Sequence, residues 1–357
     1  MSGIYGLLGL EDGDQSYINT IGQGVVYEAA SSYLQMVDED MMKAYSVFIE
    51  TETEKFKERY KLPGGGRMQQ RGRNASNAAV RGYGGWNAAY PLKDFEEPVA
   101  SDDVTLAYMT VEDVQIALDT IQIRNINTFR YEMLRVLFNN AQYTFPDDRN
   151  GDLTILPLAN GDSVVYPPVM GSESEATENH YLESNYAASG ISDTNNPYVT
   201  IRDELEEHFG APSGFGSIAV FINTAQTAKT EDLTDFDPVE DRFVRSGDQR
   251  DIPTNLPSVP GRVIGRTNGV WVVEWRWIPS GWALGVDLDA PPPIRVRRDT
   301  VASGLQRGLH LAGDSEKHPL YSRHYRNRYG MGAGNRLNGV AMEFGTGGTY
   351  TVPTTYA

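Results

Sequence analysis

Apolar residues recur at helical spacing through one long stretch of the chain, from Val111 to Asn139. Val111, Val114, Leu118 and Ile121 form one stripe, and Ile126, Phe129, Met133, Val136 and Leu137 continue it. Thr110 stands where an N-cap belongs, and Asp113 follows three residues later in a capping-box arrangement. The spacing predicts one helix of about 40 Å. That is too long to be enclosed by a core of this size, so one face must lie along a sheet. A second helix is predicted over Asp38–Lys57, where Met41, Met42, Tyr45, Phe48 and Ile49 recur at steps of three and four. Residues 1–36 have no sustained period and read as an extended or loosely helical arm.

Beyond the long helix the pattern shortens to strands. Asp147–Gly151 marks a turn, and strands follow near Leu153–Leu158 and Ser163–Tyr166, joined by Ala159-Asn160-Gly161-Asp162. Helical segments are expected near Glu178–Ala188 and Ile201–Phe209. An apolar strand, Ser217–Ile222, runs into Asn223 as the cap of a short helix. Asp235–Pro260 is acidic and proline-containing and reads as a surface loop. Arg262–Arg266 and Val270–Trp277, joined by Thr267-Asn268-Gly269, form a clear hairpin. Pro279-Ser280-Gly281 turns into a third strand, Trp282–Leu288. Pro291-Pro292-Pro293 is a stiff boundary, after which Ile294–Arg298, Gly339–Phe344 and Thr349–Val352 are expected strands. The chain leaves one unit near Pro168 and returns to it near Pro291, so the class is α+β.

Charge changes this picture at one place. The chain carries a formal net charge of -17, yet Arg59–Lys93 holds Arg59, Lys61, Arg67, Arg71, Arg73, Arg81 and Lys93 and no Asp or Glu. It is also rich in glycine, at Gly64-Gly65-Gly66, Gly72, Gly82 and Gly84-Gly85. Such a segment has too few apolar residues for a core of its own and reads as a cationic arm on an acidic body. Residues 171–251 hold seventeen acids against five bases, while residues 291–357 hold nine bases against four acids. Opposite blocks of this kind can attract different parts of a neighbouring copy.

The chemistry of an enzyme is sparse. The absence of cysteine excludes disulfides, thiolate zinc sites and cysteine nucleophiles. His180, His208, His310, His318 and His324 show no HxxxH spacing, and no Walker loop or G-x-S-x-G elbow occurs. Gly330-Met331-Gly332-Ala333-Gly334 lacks the last glycine of a phosphate cradle and reads as a turn. Asp148, Asn150 and Asp152 lack the sixth-place glycine and terminal Glu of a calcium loop. Trp271, Trp275, Trp277 and Trp282 are a sugar platform or, more in keeping with sheet packing, a buried sheet face. Asn74-Ala75-Ser76 matches a glycosylation acceptor with no secretory leader before it. No catalytic, cofactor-binding or metal residue is assigned and no cofactor is expected. No stretch reaches the ~18 apolar residues that span a bilayer, and the acidic balance opposes a dedicated nucleic-acid binder.

The order of elements resembles the major capsid protein of tailed bacteriophages, the Hong Kong 97 capsid fold. The resemblance is carried by that order and by the run PGRVIGRTNGVWVVEWRWIPSGWALGVDLDAPPPIRVRRD with GLQRGLHLAGDSEKHPLYSRHYRNRYGMGAGNRLNGVAMEF. It covers residues 40–357 by layout and about the last hundred by local motif. It implies an N-terminal arm and helix over 1–56 and an extended E-loop over 57–100, with bases at Arg59–Lys61 and Lys93–Pro98. It implies a P domain begun at 101–168 with the long spine helix, an A domain over 169–290, and P-domain return strands over 291–357. In such a subunit the E-loop residues Arg59, Lys61, Arg67, Arg71, Arg73, Arg81 and Trp86 would contact a neighbouring subunit. Only Lys61 and Lys93 could join an E-loop crosslink, and both lie near the loop's bases, so none is expected. The function implied is a self-assembling icosahedral shell of hexamers and pentamers around double-stranded DNA. It would be built in the host cytoplasm with separate scaffolding, portal and decoration proteins, without enzymatic turnover or membrane contact. An encapsulin-type nanocompartment and a carbohydrate-binding protein are the rival expectations.

Overall fold

The computed structural model describes residues 3–10, 16–62, 68, 70, 85–169, 172, 175–209, 217–239, 259–317 and 320–357. Three helices open the chain, α1 (Gly3–Leu8), α2 (Ile18–Ile21) and α3 (Gln23–Ala44). Strand β1 (Ile49–Thr53) precedes β2 (Lys57–Lys61), β3 (Gly85–Ala89) and β4 (Lys93–Asp102). Helix α4 (Asp103–Tyr108) leads into α5 (Val111–Phe138), and β5 (Tyr143–Asp147) and β6 (Gly151–Ile155) follow. Next come β7 (Tyr181–Glu183), α6 (Pro197–Phe209), β8 (Ile218–Ile222), α7 (Thr224–Glu231), β9 (Asp237–Pro238), β10 (Arg262–Thr267), β11 (Val270–Glu274) and β12 (Trp282–Asp287). The chain ends through β13 (Ile294–Arg297), β14 (His310–Lys317), β15 (Leu320–Ala333) and β16 (Val340–Glu343).

Two sheets share one helix. A seven-stranded sheet has the order β7-β16-β12-β8-β11-β10-β9, and a five-stranded sheet has the order β1-β13-β15-β14 with β4 also paired to β15. Helix α5 forms as predicted: Thr110 accepts from the Asp113 backbone N–H, and the Asp113 carboxylate accepts from the Thr110 N–H at 2.9 Å. At 28 residues it runs about 42 Å. Its C-terminal half supplies Phe129, Met133, Leu134, Leu137 and Phe138 to a core that also takes Ile294, Val296 and Met331 from one sheet and Phe221, Val273 and Leu284 from the other. Each such side chain contributes about 1.5–3 kcal/mol on burial, so this core ties the two sheets together. The N-terminal half of α5 receives Ile4, Ile18, Val26, Ala30 and Leu34 as a second cluster.

Several expectations are corrected. Of residues 1–36 the described ones form α1, α2 and most of α3, so of the two alternatives, extended or loosely helical, the helical one holds, with Val26, Ala30, Leu34, Asp38 and Met41 as a buried stripe on α3. The predicted helix over Asp38–Lys57 ends at Ala44, and its second half becomes β1 and β2. The cause is a partner far along the chain: β1 pairs in parallel with β13, Ile49 opposite Ile294. The predicted helix over Glu178–Ala188 is instead β7 and a 3₁₀ turn at Ala188–Gly190. The hairpin expected at Leu153–Tyr166 lies earlier, with β5 and β6 joined across Asp147–Gly151. There the Asp147 carboxylate accepts from the N–H groups of Arg149 and Asn150, and Gly151 takes φ +71°. Gly330–Gly334 is not a turn. Gly330 and Gly332 lie in β15, where a Cβ would sit 1.9 Å from the Pro91 carbonyl oxygen and 2.9 Å from that of Ala89. Thr349–Val352 forms no strand; its Tyr350 hydroxyl donates to the Phe138 carbonyl and so caps the end of α5.

Other segments match the pattern read from the residues; of the loop expected over Asp235–Pro260, residues 240–258 lie outside the described residues and Asp237–Pro238 forms the short strand β9. Helix α6, strand β8 and the β10–β11 hairpin stand where expected, and Asn223 caps α7 through the Ala225 N–H. The four tryptophans of the hairpin region belong to the central core or pack against it, as a sheet face rather than a sugar platform does. Trp275 stacks on Phe48 at 5.9 Å, and Arg130 lies over Trp277 at 4.3 Å.

Candidate inter-subunit interface

Strands β2 and β3 form a two-stranded sheet that pairs with no other strand among the described residues. The second stem is therefore Gly85–Ala89. The expected stem, Lys93–Pro98, belongs to β4 and pairs with Tyr329–His324 of β15. A two-stranded ribbon is marginal in water, so what roots it decides where it points.

The root is built from aromatic and charged side chains. Trp86, 2% exposed, stacks on Tyr60 at 5.4 Å and tilts against Tyr166 at 5.2 Å. Its indole Nε1–H donates to the Gly334 carbonyl at 2.9 Å. Gly85 allows the stems to close, since a Cβ there would meet the Tyr60 carbonyl oxygen at 2.5 Å. Arg295 on β13 grips the Glu50 carboxylate with both forks, Nε at 2.8 Å and Nη2 at 2.9 Å, and gives Nη1 to Glu58. The Tyr90 hydroxyl donates to Glu58 at 2.8 Å. Burial pushes the Glu58 carboxyl up, but the hydrogen bonds from Tyr90 and Arg295 outweigh it and hold the group below the usual carboxylate range. Burial, with Glu58 adding to it, drives the Tyr90 hydroxyl far above its ordinary value, so it donates at any physiological pH.

The predicted contact residues divide three ways. Arg59 and Lys61 stand exposed on β2 and make no ion pair among the described residues. Arg67, Arg71, Arg73 and Arg81 lie outside the described residues, as does the Asn74 acceptor sequence. Trp86 is covered by its own chain and roots the ribbon instead of presenting a face. Sequence reasoning passed over Glu50, Glu58, Tyr90 and Arg295. The one trace was Ile294–Arg298, an apolar–basic alternation that puts Arg295 and Arg297 on one face of a strand.

Two of the histidines are held against backbone carbonyls, and His318 lies outside the described residues. His180 and His310 set Nδ1 against the carbonyls of Gly339 and Gly308, at 3.0 Å and 2.8 Å. Among the described residues, Glu178, Glu204 and Glu207 bring carboxylate oxygens within 4.8 Å of one another. Burial, then the charges of Glu207 and Glu178, push the Glu204 carboxyl up to about 7. Among the described residues no helix is long and apolar enough to cross a membrane.

The chain aligns with a structure from Mycobacterium phage Patience at 20% identity and a TM-score of 0.66, over 93% of this chain and 90% of that one. Looser likenesses are to the asymmetric unit of the bacteriophage PhiM1 mature capsid (8% identity, TM-score 0.48, 84% and 86% covered) and to the capsid of the cyanophage P-SCSP1u (7%, 0.47, 83% and 86%). No family model and no curated protein matches the sequence. The chain has the Hong Kong 97 capsid fold, with a long helix backed by a sheet, a second layered sheet and a separate two-stranded ribbon.

Proposed function

We propose that this chain is the major capsid protein of a tailed bacteriophage, a structural subunit that repeats in hexamers and pentamers to close an icosahedral head around double-stranded DNA. The observation that carries the reading is the β2–β3 ribbon. Its two strands pair only with each other among the described residues, with Arg59 and Lys61 exposed and without an acidic partner among them. Between its stems the sequence adds Arg67, Arg71, Arg73 and Arg81 and no acid. A neighbouring copy of so acidic a chain offers carboxylates that arginine can hold through paired hydrogen bonds. Each subunit is then held by several neighbours, so modest contacts add up to a stable shell. Net acidity keeps the enclosed nucleic acid from adsorbing to the wall. In this reading the protein carries out no turnover, is assembled in the bacterial cytoplasm with separate scaffolding, portal and decoration proteins, and ends in the virion.

Electron microscopy of the purified chain, expressed alone and with the phage's other head proteins, tests this. Closed shells are expected, and particles from infection should hold DNA. The double reversal Arg71→Glu/Arg73→Glu should abolish closed shells or make them fragile. A parent chain that stays monomeric under all these conditions overturns the reading. Intact, stable shells from the reversed chain overturn the role given to the arm, and shells packed with protein cargo would mark a nanocompartment instead.

A further inference from the structure

Both stems of the β2–β3 ribbon are held from a single strand. The chain enters the ribbon through β2 and leaves it after β3 at Tyr90. At the entry, Arg295 reaches Glu58 while its other fork holds Glu50 on β1, so one guanidinium spans the bend at residues 54–56. At the exit, Arg297 donates Nη1 to the Tyr90 carbonyl at 2.9 Å and to Asp147 at 2.7 Å. The Tyr90 hydroxyl, bonded to Glu58, closes entry to exit. The Tyr60 hydroxyl adds a bond to Glu50 at 3.3 Å, Tyr60 lies under the Arg295 guanidinium at 5.0 Å, and Lys55 sits 3.5 Å from Glu58. Arg295 and Arg297 share a face of β13 because they lie two residues apart, and β13 is itself locked between β1 and β15.

We infer that Arg295 is a latch that fixes the pitch of the ribbon against the five-stranded sheet. Two features separate a latch from ordinary stability. The first is its position: Glu50 and Glu58 lie on opposite sides of the bend about which the ribbon would swing, so the arginine resists rotation there. The second is its chemistry. A planar fork holds two carboxylates at once, whereas an ammonium is a single point charge and cannot fix their relative angle. The exit stem has a different anchor, a main-chain carbonyl, so releasing Arg295 frees the entry without detaching the ribbon. The latch belongs to the single chain. In a shell it would decide how far the ribbon reaches over its neighbour, but it does not depend on the shell reading.

The test uses the full chain, which has no cysteine of its own. Spin labels are placed by Lys61→Cys at the end of β2 and Ile123→Cys on the exposed side of α5. The labelled chain is diluted with unlabelled chain, so that only distances within one subunit are read whether or not shells form. The parent should give one narrow distance distribution. Arg295→Met, Arg295→Lys and Glu58→Gln should each broaden it about twofold, with the lysine failing to rescue because it lacks the fork. Widths equal to the parent in Glu58→Gln and Arg295→Met overturn the latch, as does full rescue by Arg295→Lys. Should Arg295→Met not fold, Glu58→Gln, which keeps the shape and removes the charge, decides alone.

Discussion

Two hairpins of this molecule are built on opposite terms. The β10–β11 hairpin turns in two residues, Asn268 at φ 48° and Gly269 at φ 86°, and both strands enter a seven-stranded sheet with cores on its two faces. Arg202 of α6 even donates Nη1 to the Asn268 carbonyl at 2.9 Å, tying helix to turn. The β2–β3 ribbon has no third strand among the described residues, and its stems are separated by more than twenty residues of sequence. It is fixed at its foot by one indole, two tyrosines and the arginines of β13. The first hairpin is stabilised by burial within a wide sheet, the second by a small aromatic cluster and a handful of directed bonds. In the proposed function the difference has a use: the body keeps its shape while the ribbon's direction is set at its root.

The sharpest way to break this contrast is to attack the body. Phe221 is buried at the heart of β8, 5.0 Å from Phe48 and 5.9 Å from Trp275 in ring-to-ring contact. Phe221→Ala should cost about 3–5 kcal/mol, seen as a lower denaturant midpoint for the whole chain. A variant that unfolds at the parent's midpoint would show that the two sheets do not share one cooperative core.

The arm should respond locally. Trp86→Phe keeps the stacking on Tyr60 but strands the Gly334 carbonyl, at a cost of about 1–3 kcal/mol. Hydrogen exchange should quicken at the amides of β2 and β3 while the midpoint of global unfolding barely moves. Equal loss of protection in β8 and β11 would erase the distinction between arm and body. A smaller effect belongs to the tight turn. Gly269→Ala forces an L-residue into the left-handed region at about 1–2 kcal/mol, whereas Asn268→Gly should be nearly neutral. Equal thermal shifts for the two would contradict the turn geometry.

The same contrast explains what could be read in advance. The β10–β11 hairpin was legible because its information is local: alternating apolar residues around Asn268-Gly269. The α5 helix was legible because its stripe and its Thr110–Asp113 cap lie within the segment. The strand nature of Ile49–Thr53 was hidden, since it comes from Ile294–Arg297, some 245 positions away along the chain. Its own residues also fit a helical period. The cationic arm could be seen from charge alone, but its anchors could not. Trp86 looked like a contact residue until the fold covered it, and Glu50, Glu58 and Arg295 look like ordinary surface charges until β13 brings them together. Residue counts reveal that the segment is cationic; the pairing of distant strands determines what holds its stems.

The smallest expected effect tests the body through a charge. Glu204 lies on α6, the helix that packs on the seven-stranded sheet and carries Arg202 to the hairpin turn. Its carboxyl is raised from the ordinary 4.5 to about 7, by burial first and then by Glu207 and Glu178. A carboxyl raised in the folded state binds its proton more tightly there than in the unfolded chain. The stabilisation is therefore complete below the unfolded value and is lost as pH climbs from about 4.5 through about 7. Glu178 and Glu207 are raised as well, which steepens the slope in the same direction. Glu204→Gln keeps the neutral shape at every pH. With a discount for partial solvent screening, it should be more stable than the parent by on the order of 1 kcal/mol at pH 8 and equal to it below about pH 4. Thermal midpoints measured across that range should converge on the acid side and separate on the alkaline side. Parallel curves would mean that the Glu204 carboxyl is not raised in the folded chain.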